Sequence, residues 1–246
     1  MYQLFCGDYQ TAMKDVKGNH LITDPPYSNR VHKADVLLEG ERRDKAEVNE
    51  IPYDAWGDKE IGALCEFFIA DKRIDGWFVA FCSHDQIPCY EKYLGKMGYY
   101  TFSPLAFVTT GSNVRLVGDG PSQWSVFMMV GRPKNKIYAK WGTLRGAYVN
   151  KAENNRTRYR GSKCLVGMRE VVLDYSLEGQ TVIDPCLGSG TTGVAALLEG
   201  RRFIGCEAKP DVFETAKARL AALPNKSDLV LPIPRSSKPK NATVEP

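Results

Sequence analysis

The stretch TVIDPCLGSGTTGVAA, residues 181–196, constrains this chain most. An apolar run leads into Asp184, a turn carries Gly188 and Gly190, and a helical pattern follows over 191–199. Glycine lets a backbone take positive φ and pass close to a neighbour, so the turn can be tight. A further apolar run, 203–206, ends at Glu207. Strand, helix and strand in that order predict two parallel strands joined by a crossover. The rest of the chain repeats the alternation. Strands are expected at 2–6, 20–23, 77–82, 101–109 and 124–130, with helices at 9–16, 58–73, 86–97, 168–175 and 211–223. Pro88 falls in the first turn of its helix, where its missing N–H costs nothing. The pattern is α/β: a mostly parallel, seven-stranded sheet with helices on both faces. Residues 1–226 form this domain, 28–50 read as a polar mobile loop, and 227–246, rich in Pro, Ser and Lys, read as a disordered tail.

Composition removes several classes. With 43% hydrophobic and 25% charged residues the chain is ordinary for a globular domain. Its net charge of +4 permits a polyanionic partner without requiring one. The seven cysteines include no C-x-x-C pair, and several sit in apolar runs, so reduced buried thiols are expected and no metal site. The start has no basic-then-apolar leader, and no apolar run reaches membrane length. A cytoplasmic protein with no membrane partner is therefore expected.

Ligands of such sheets bind beyond the carboxyl ends of the strands, and three predicted ends carry unusual chemistry. Asp184-Pro185-Cys186 with Gly188-Ser189-Gly190-Thr191-Thr192 brings free N–H groups at a helix start toward an anionic group. Glu207, at the end of the next strand, can accept hydrogen bonds from two ribose hydroxyls. No Gly-Lys-Ser/Thr follows the turn, so it is not a nucleotide-phosphate loop. At the third end, Thr23 leads into Asp24-Pro25-Pro26-Tyr27. Two prolines make a stiff tip that fixes the Asp24 carboxylate and the Pro25 carbonyl as acceptors. Such acceptors can bond both hydrogens of an exocyclic amino group and so free its lone pair for attack. Tyr27 offers a flat face for a base drawn out of its stack.

Asp24-Pro-Pro-Tyr27 together with the 184–192 turn resembles the amino-methylating DNA methyltransferases, in their permuted β order, where the catalytic motif precedes the cofactor motif. The resemblance implies a Rossmann-like fold, S-adenosyl-L-methionine as cofactor and double-stranded DNA as partner. It implies transfer of a methyl group to N6 of adenine, because Asp rather than Ser opens the catalytic motif. Asp8, in Phe5-Cys6-Gly7-Asp8, takes the family's acid that meets the cofactor adenine, and Lys163 falls in the segment leading to the helix before the glycine turn. Cys186 stands where the family usually has Phe. The order of elements also makes residues 131–163 the target-recognition segment. From Arg132 to Lys163 there are ten Lys or Arg and one acid, Glu153. Arg132, Lys134, Lys140, Arg145, Arg156, Arg158 and Arg160, with Arg30 after the catalytic tip, are the expected DNA contacts. Cytosine N4 as target, RNA or a protein glutamine as substrate, and a non-catalytic DNA-binding relative remain as alternatives. Monomer and homodimer both stand, and a restriction endonuclease from the same system is a candidate partner.

Overall fold

A computed structural model describes residues 1–31, 54–111, 124–135, 143–151 and 162–223. Most of the polar loop, Lys140, Arg156, Arg158, Arg160 and the tail lie outside these residues.

Among the described residues, nine strands form one sheet in the order β1-β9-β8-β2-β3-β6-β5-β7, with β4 beside β6. The strands are β1 (Tyr2–Cys6), β2 (His20–Thr23), β3 (Phe78–Cys82), β4 (Tyr99–Thr101), β5 (Leu105–Thr110), β6 (Ser125–Pro133), β7 (Ala147–Lys151), β8 (Thr181–Asp184) and β9 (Arg202–Glu207). Because β6 is antiparallel to β3, β4 and β5 while every other pairing is parallel, β6 alone runs against the rest. The helices are α1 (Tyr9–Ala12), α2 (Asp58–Cys65), α3 (Ile87–Lys96), α4 (Leu165–Tyr175), α5 (Thr191–Leu198) and α6 (Pro210–Ala221). None of the described helices is long and apolar enough to cross a membrane.

Strand alternation builds two cores. Along β3, Val79 and Phe81 face one side, where α4, α5 and α6 supply Val171, Val172, Ala195 and Leu220. Phe78, Ala80 and Cys82 face the other, against Ile61 and Leu64 of α2 and Tyr90 and Leu94 of α3. The sheet is thus covered on both faces, as expected, but the described residues give it nine strands rather than seven. The stretch expected as one strand, 101–109, is broken before Pro104, which has no N–H for the ladder, and divides into β4 and β5. Strand β7 lies inside the basic stretch. Tyr148 and Asn150 face inward while Val149 and Lys151 face out, too short an alternation to stand out among so many charges. The helix expected over 58–73 stops at Cys65 and continues as a π-helical turn, Glu66–Ala70. That wider turn buries Phe67, Phe68 and Ile69 in succession, which one face of an α-helix could not.

Candidate active site

Strands β1, β2, β3, β8 and β9 end at the same edge of the sheet, and the expected site residues meet there around a cavity of about 640 Å³. Its lining includes Asp8, Asp24, Pro26, Asp184, Cys186, Gly188, Glu207 and Lys163. That volume lies within the range of pockets for small molecules and cofactors.

On one side stands the glycine turn. Gly188 and Gly190 take φ of 50° and 80°, the left-handed region, so both need glycine. A Cβ on Gly190 would also meet Leu220 at 2.6 Å. Glu207 accepts from the Gly188 N–H at 2.9 Å and from the Lys209 N–H at 3.1 Å, which aims its carboxylate along the cavity wall. Asp8 caps α1 by accepting from the Thr11 N–H at 3.1 Å and is held at the cavity rim. Asp184 is buried, 1% exposed, and accepts from the Thr23 hydroxyl at 2.7 Å and the Cys186 N–H at 3.0 Å. Burial pushes its carboxyl up to about 7, against the pull of hydrogen bonds from Thr23, Thr192 and Cys186. Through Thr23 the acid of β8 is tied to the residue preceding Asp24. Burial likewise drives the Cys186 thiol well above its ordinary range, which makes it a packing group.

On the other side stands the proline tip. Tyr27 donates its hydroxyl to Asp24 Oδ1 at 3.0 Å, and the Lys163 ammonium donates to Asp24 Oδ2. The Pro26 carbonyl accepts from Gln86 Nε2 at 3.1 Å, and the same nitrogen donates to the Trp56 carbonyl at 3.0 Å. Gln86 Oε1 in turn accepts from the Ser83 N–H at 3.0 Å. Buried Gln86, one residue before α3, thus fixes the tip from beyond the end of the neighbouring strand β3.

A family model for N6/N4 methyltransferases, described as DNA methylase, matches residues 114–218. Type II methyltransferase M2.DpnII of Streptococcus pneumoniae is 36% identical over 77 residues, 31% of this chain and 29% of that relative, so the chain spans less than a third of its length. The structure of M1.HpyAVI in complex with SAM superposes with a TM-score of 0.63 at 25% identity, over 89% of this chain and 99% of that one. This chain is similar to the DNA amino-methyltransferases over these stretches. PvuII DNA methyltransferase, described as cytosine-N4-specific, shares the fold at a TM-score of 0.63 and 15% identity, over 91% of this chain and 89% of that one. The Rossmann-like methyltransferase fold is thereby shown for the chain.

Against that methyltransferase frame the expected basic contacts divide. Arg132 and Lys134 lie at and just beyond the end of β6, and Gly131 pairs with Phe78 at the start of β3. They therefore sit at the opposite edge of the sheet from Asp24, and Arg132 leans over the rings of Tyr100 and Phe102. Arg145 is taken up by Asp174 at 2.5 Å and Glu170 at 3.6 Å on α4. None of these three is placed to reach a substrate at Asp24. Arg30 is exposed beside the tip and donates to His84 at 2.8 Å. Lys151 at the end of β7 and Trp124 before β6 lie at the active edge and were not singled out by sequence. Lys163, expected at the cofactor, lines the same cavity and donates to Asp24. Two positioning residues also went unseen: Gln86, and Arg219 of α6, which donates to the Ser189 carbonyl at 3.0 Å and the Thr191 hydroxyl at 2.9 Å behind the turn. Arg219 lies in no motif, and Gln86 closes the capping pattern Ser83-x-x-Gln86, which signals a helix start but not the bond to the Pro26 carbonyl.

Proposed function

We propose that this chain transfers a methyl group from S-adenosyl-L-methionine to N6 of an adenine flipped out of duplex DNA. One observation carries the reading. Asp24 and the pair Asp184–Glu207, far apart in sequence, open into a single cavity and are linked through the Thr23–Asp184 bond. When bound, S-adenosylmethionine supplies an electrophilic methyl group on a sulfonium. The residues present fit it. Glu207 offers acceptors to ribose hydroxyls, Asp8 lies at the rim for the adenine amino group, and the Gly188–Gly190 turn leaves backbone space for a close approach. The start of α5 at Thr191–Thr192 favours a carboxylate.

Asp24 accepts hydrogen bonds from the target amino group and so concentrates its lone pair toward the cofactor side. Tyr27 offers its ring to the flipped base, offsetting part of the lost stacking, about 1–3 kcal/mol. Gln86 and the two prolines hold this geometry before substrate arrives, which avoids reorganisation during the reaction. Asp at position 24 favours adenine over cytosine. Arg30, Lys151 and Trp124 lie at the edge that would face DNA.

The test is transfer from labelled S-adenosylmethionine to unmethylated duplex DNA, followed by digestion and mass spectrometry of the nucleosides. N6-methyladenine is expected. N4-methylcytosine would move the target to cytosine, and no methylated base despite cofactor binding would overturn the reading.

A further inference from the structure

The ammonium of Lys163 lies where a target amino group is expected. It donates to Asp24 Oδ2 and stands 5.3 Å from the ring centroid of Tyr27 and 5.0 Å from that of Phe81. A carboxylate acceptor whose bound cation also stands near two aromatic rings is a subsite for a nitrogen carrying several hydrogens, and an ammonium satisfies it as a base amino group would. Both Asp24 oxygens are then engaged, one by Tyr27 and one by Lys163. The side chains are mostly covered, 12% exposed for Lys163 and 26% for Asp24, so solvent does not dissolve the contact.

Charge decides between a helper and a competitor. Methyl transfer moves positive charge from the sulfonium onto the attacking nitrogen. A lysine cation fixed on Asp24 would oppose that movement and weaken the carboxylate that is meant to stabilise it. Lys163 therefore cannot keep this position while the reaction proceeds. Its flexible stem allows departure, while Ser162 stays bound to Ser189 of the glycine turn at 2.6 Å. We propose that Lys163 is a placeholder for the target amino group: its ammonium fills the Asp24–Tyr27–Phe81 subsite in the free protein, and the incoming base displaces it. This rests on the methyltransferase reading above, and it assigns Phe81 as a wall of the target subsite.

The experiment compares the parent chain with Lys163→Met and Lys163→Arg in steady-state methyl transfer to unmethylated duplex DNA, alongside calorimetric binding of S-adenosylmethionine. Methionine keeps the length, packs well against aromatic rings and lacks the charge. Removing the competitor raises the fraction of binding-competent sites, so Lys163→Met should lower KM for DNA about tenfold. Its kcat should be unchanged or higher, with cofactor affinity within about twofold of the parent. Lys163→Arg, which keeps a cation, should retain the parent KM. Lys163→Gln, uncharged and shorter, should move KM in the same direction as Met and serves if the Met variant does not fold. With an active parent, an unchanged or raised KM in the uncharged variants would overturn this inference alone. So would a tenfold loss of cofactor affinity, which would make Lys163 a cofactor ligand. No transfer by the parent would overturn the functional reading, and this inference with it.

Discussion

On the glycine-turn side of the cavity, the two acids are aimed largely by backbone N–H groups, and the Arg219 side chain braces the turn from behind. Glu207 is aimed by the N–H groups of Gly188 and Lys209, and Asp184 takes the N–H of Cys186 two residues on. On the proline-tip side, side chains from elsewhere do the fixing: Gln86 on the Pro26 carbonyl, and the Asp184 carboxylate one residue away through Thr23. The turn aims its acids mainly through backbone groups. The tip is an assembled structure whose geometry depends on the rest of the fold. Substitutions should therefore separate cleanly, with cofactor affinity following the turn and turnover following the tip.

On the turn side, the largest effect is expected at Glu207. Glu207→Ala removes a charged acceptor from the turn side and should weaken S-adenosylmethionine binding about 10- to 100-fold by calorimetry. At saturating cofactor, kcat should stay within about threefold. A large fall in kcat with unchanged affinity would break the division.

Gln86→Leu tests the opposite side. It leaves the Pro26 and Trp56 carbonyls without their donor and loosens the tip. Turnover should fall about tenfold while cofactor affinity holds within about twofold, and stability should drop about 1–3 kcal/mol in denaturant titration. Unchanged kcat would show that the tip is rigid from its prolines alone.

What was legible in the sequence follows the same line. The Asp24–Tyr27 tip, the Gly188–Gly190 turn and Glu207 could be read because each needs particular residue types within a few positions. The site roles of Gln86 and Arg219 could not, since their partners there are dozens of residues away, and the Ser83-x-x-Gln86 capping pattern signals only a helix start. Lys163 was noticed through its place in the chain order, yet its partner emerges only when the start of α4 folds against the end of β2. Arg132 and Lys134 show a different failure. Charge density along a chain has no direction, and the reversal of β6 carries these two to the far edge. Arg145 fails for a third reason, because two carboxylates of α4 claim it.

A smaller effect, on stability, concerns the acid that joins the two sides. Asp184 sits at about 7 in the folded chain, chiefly through burial, against an ordinary value of 3.8. Between those values the folded state holds more protons than the unfolded one, so stability present below about pH 4 is lost as pH rises toward about 7. Asp184→Asn removes the titration. In denaturant midpoints measured from pH 4 to 8, the variant should gain on the parent through that window and level off above it. Parallel curves for the two proteins would show that Asp184 is ionised throughout.

The central claim is that Asp24 serves the reacting amino group and takes no part in holding the methyl donor. Asp24→Ala, assayed for both methyl transfer to unmethylated DNA and S-adenosylmethionine binding, tests it most directly. The account predicts transfer reduced by about 10²–10³-fold or more, with cofactor affinity within about twofold of the parent. Transfer at the parent rate, or loss of cofactor binding on the scale expected for Glu207→Ala, would contradict it.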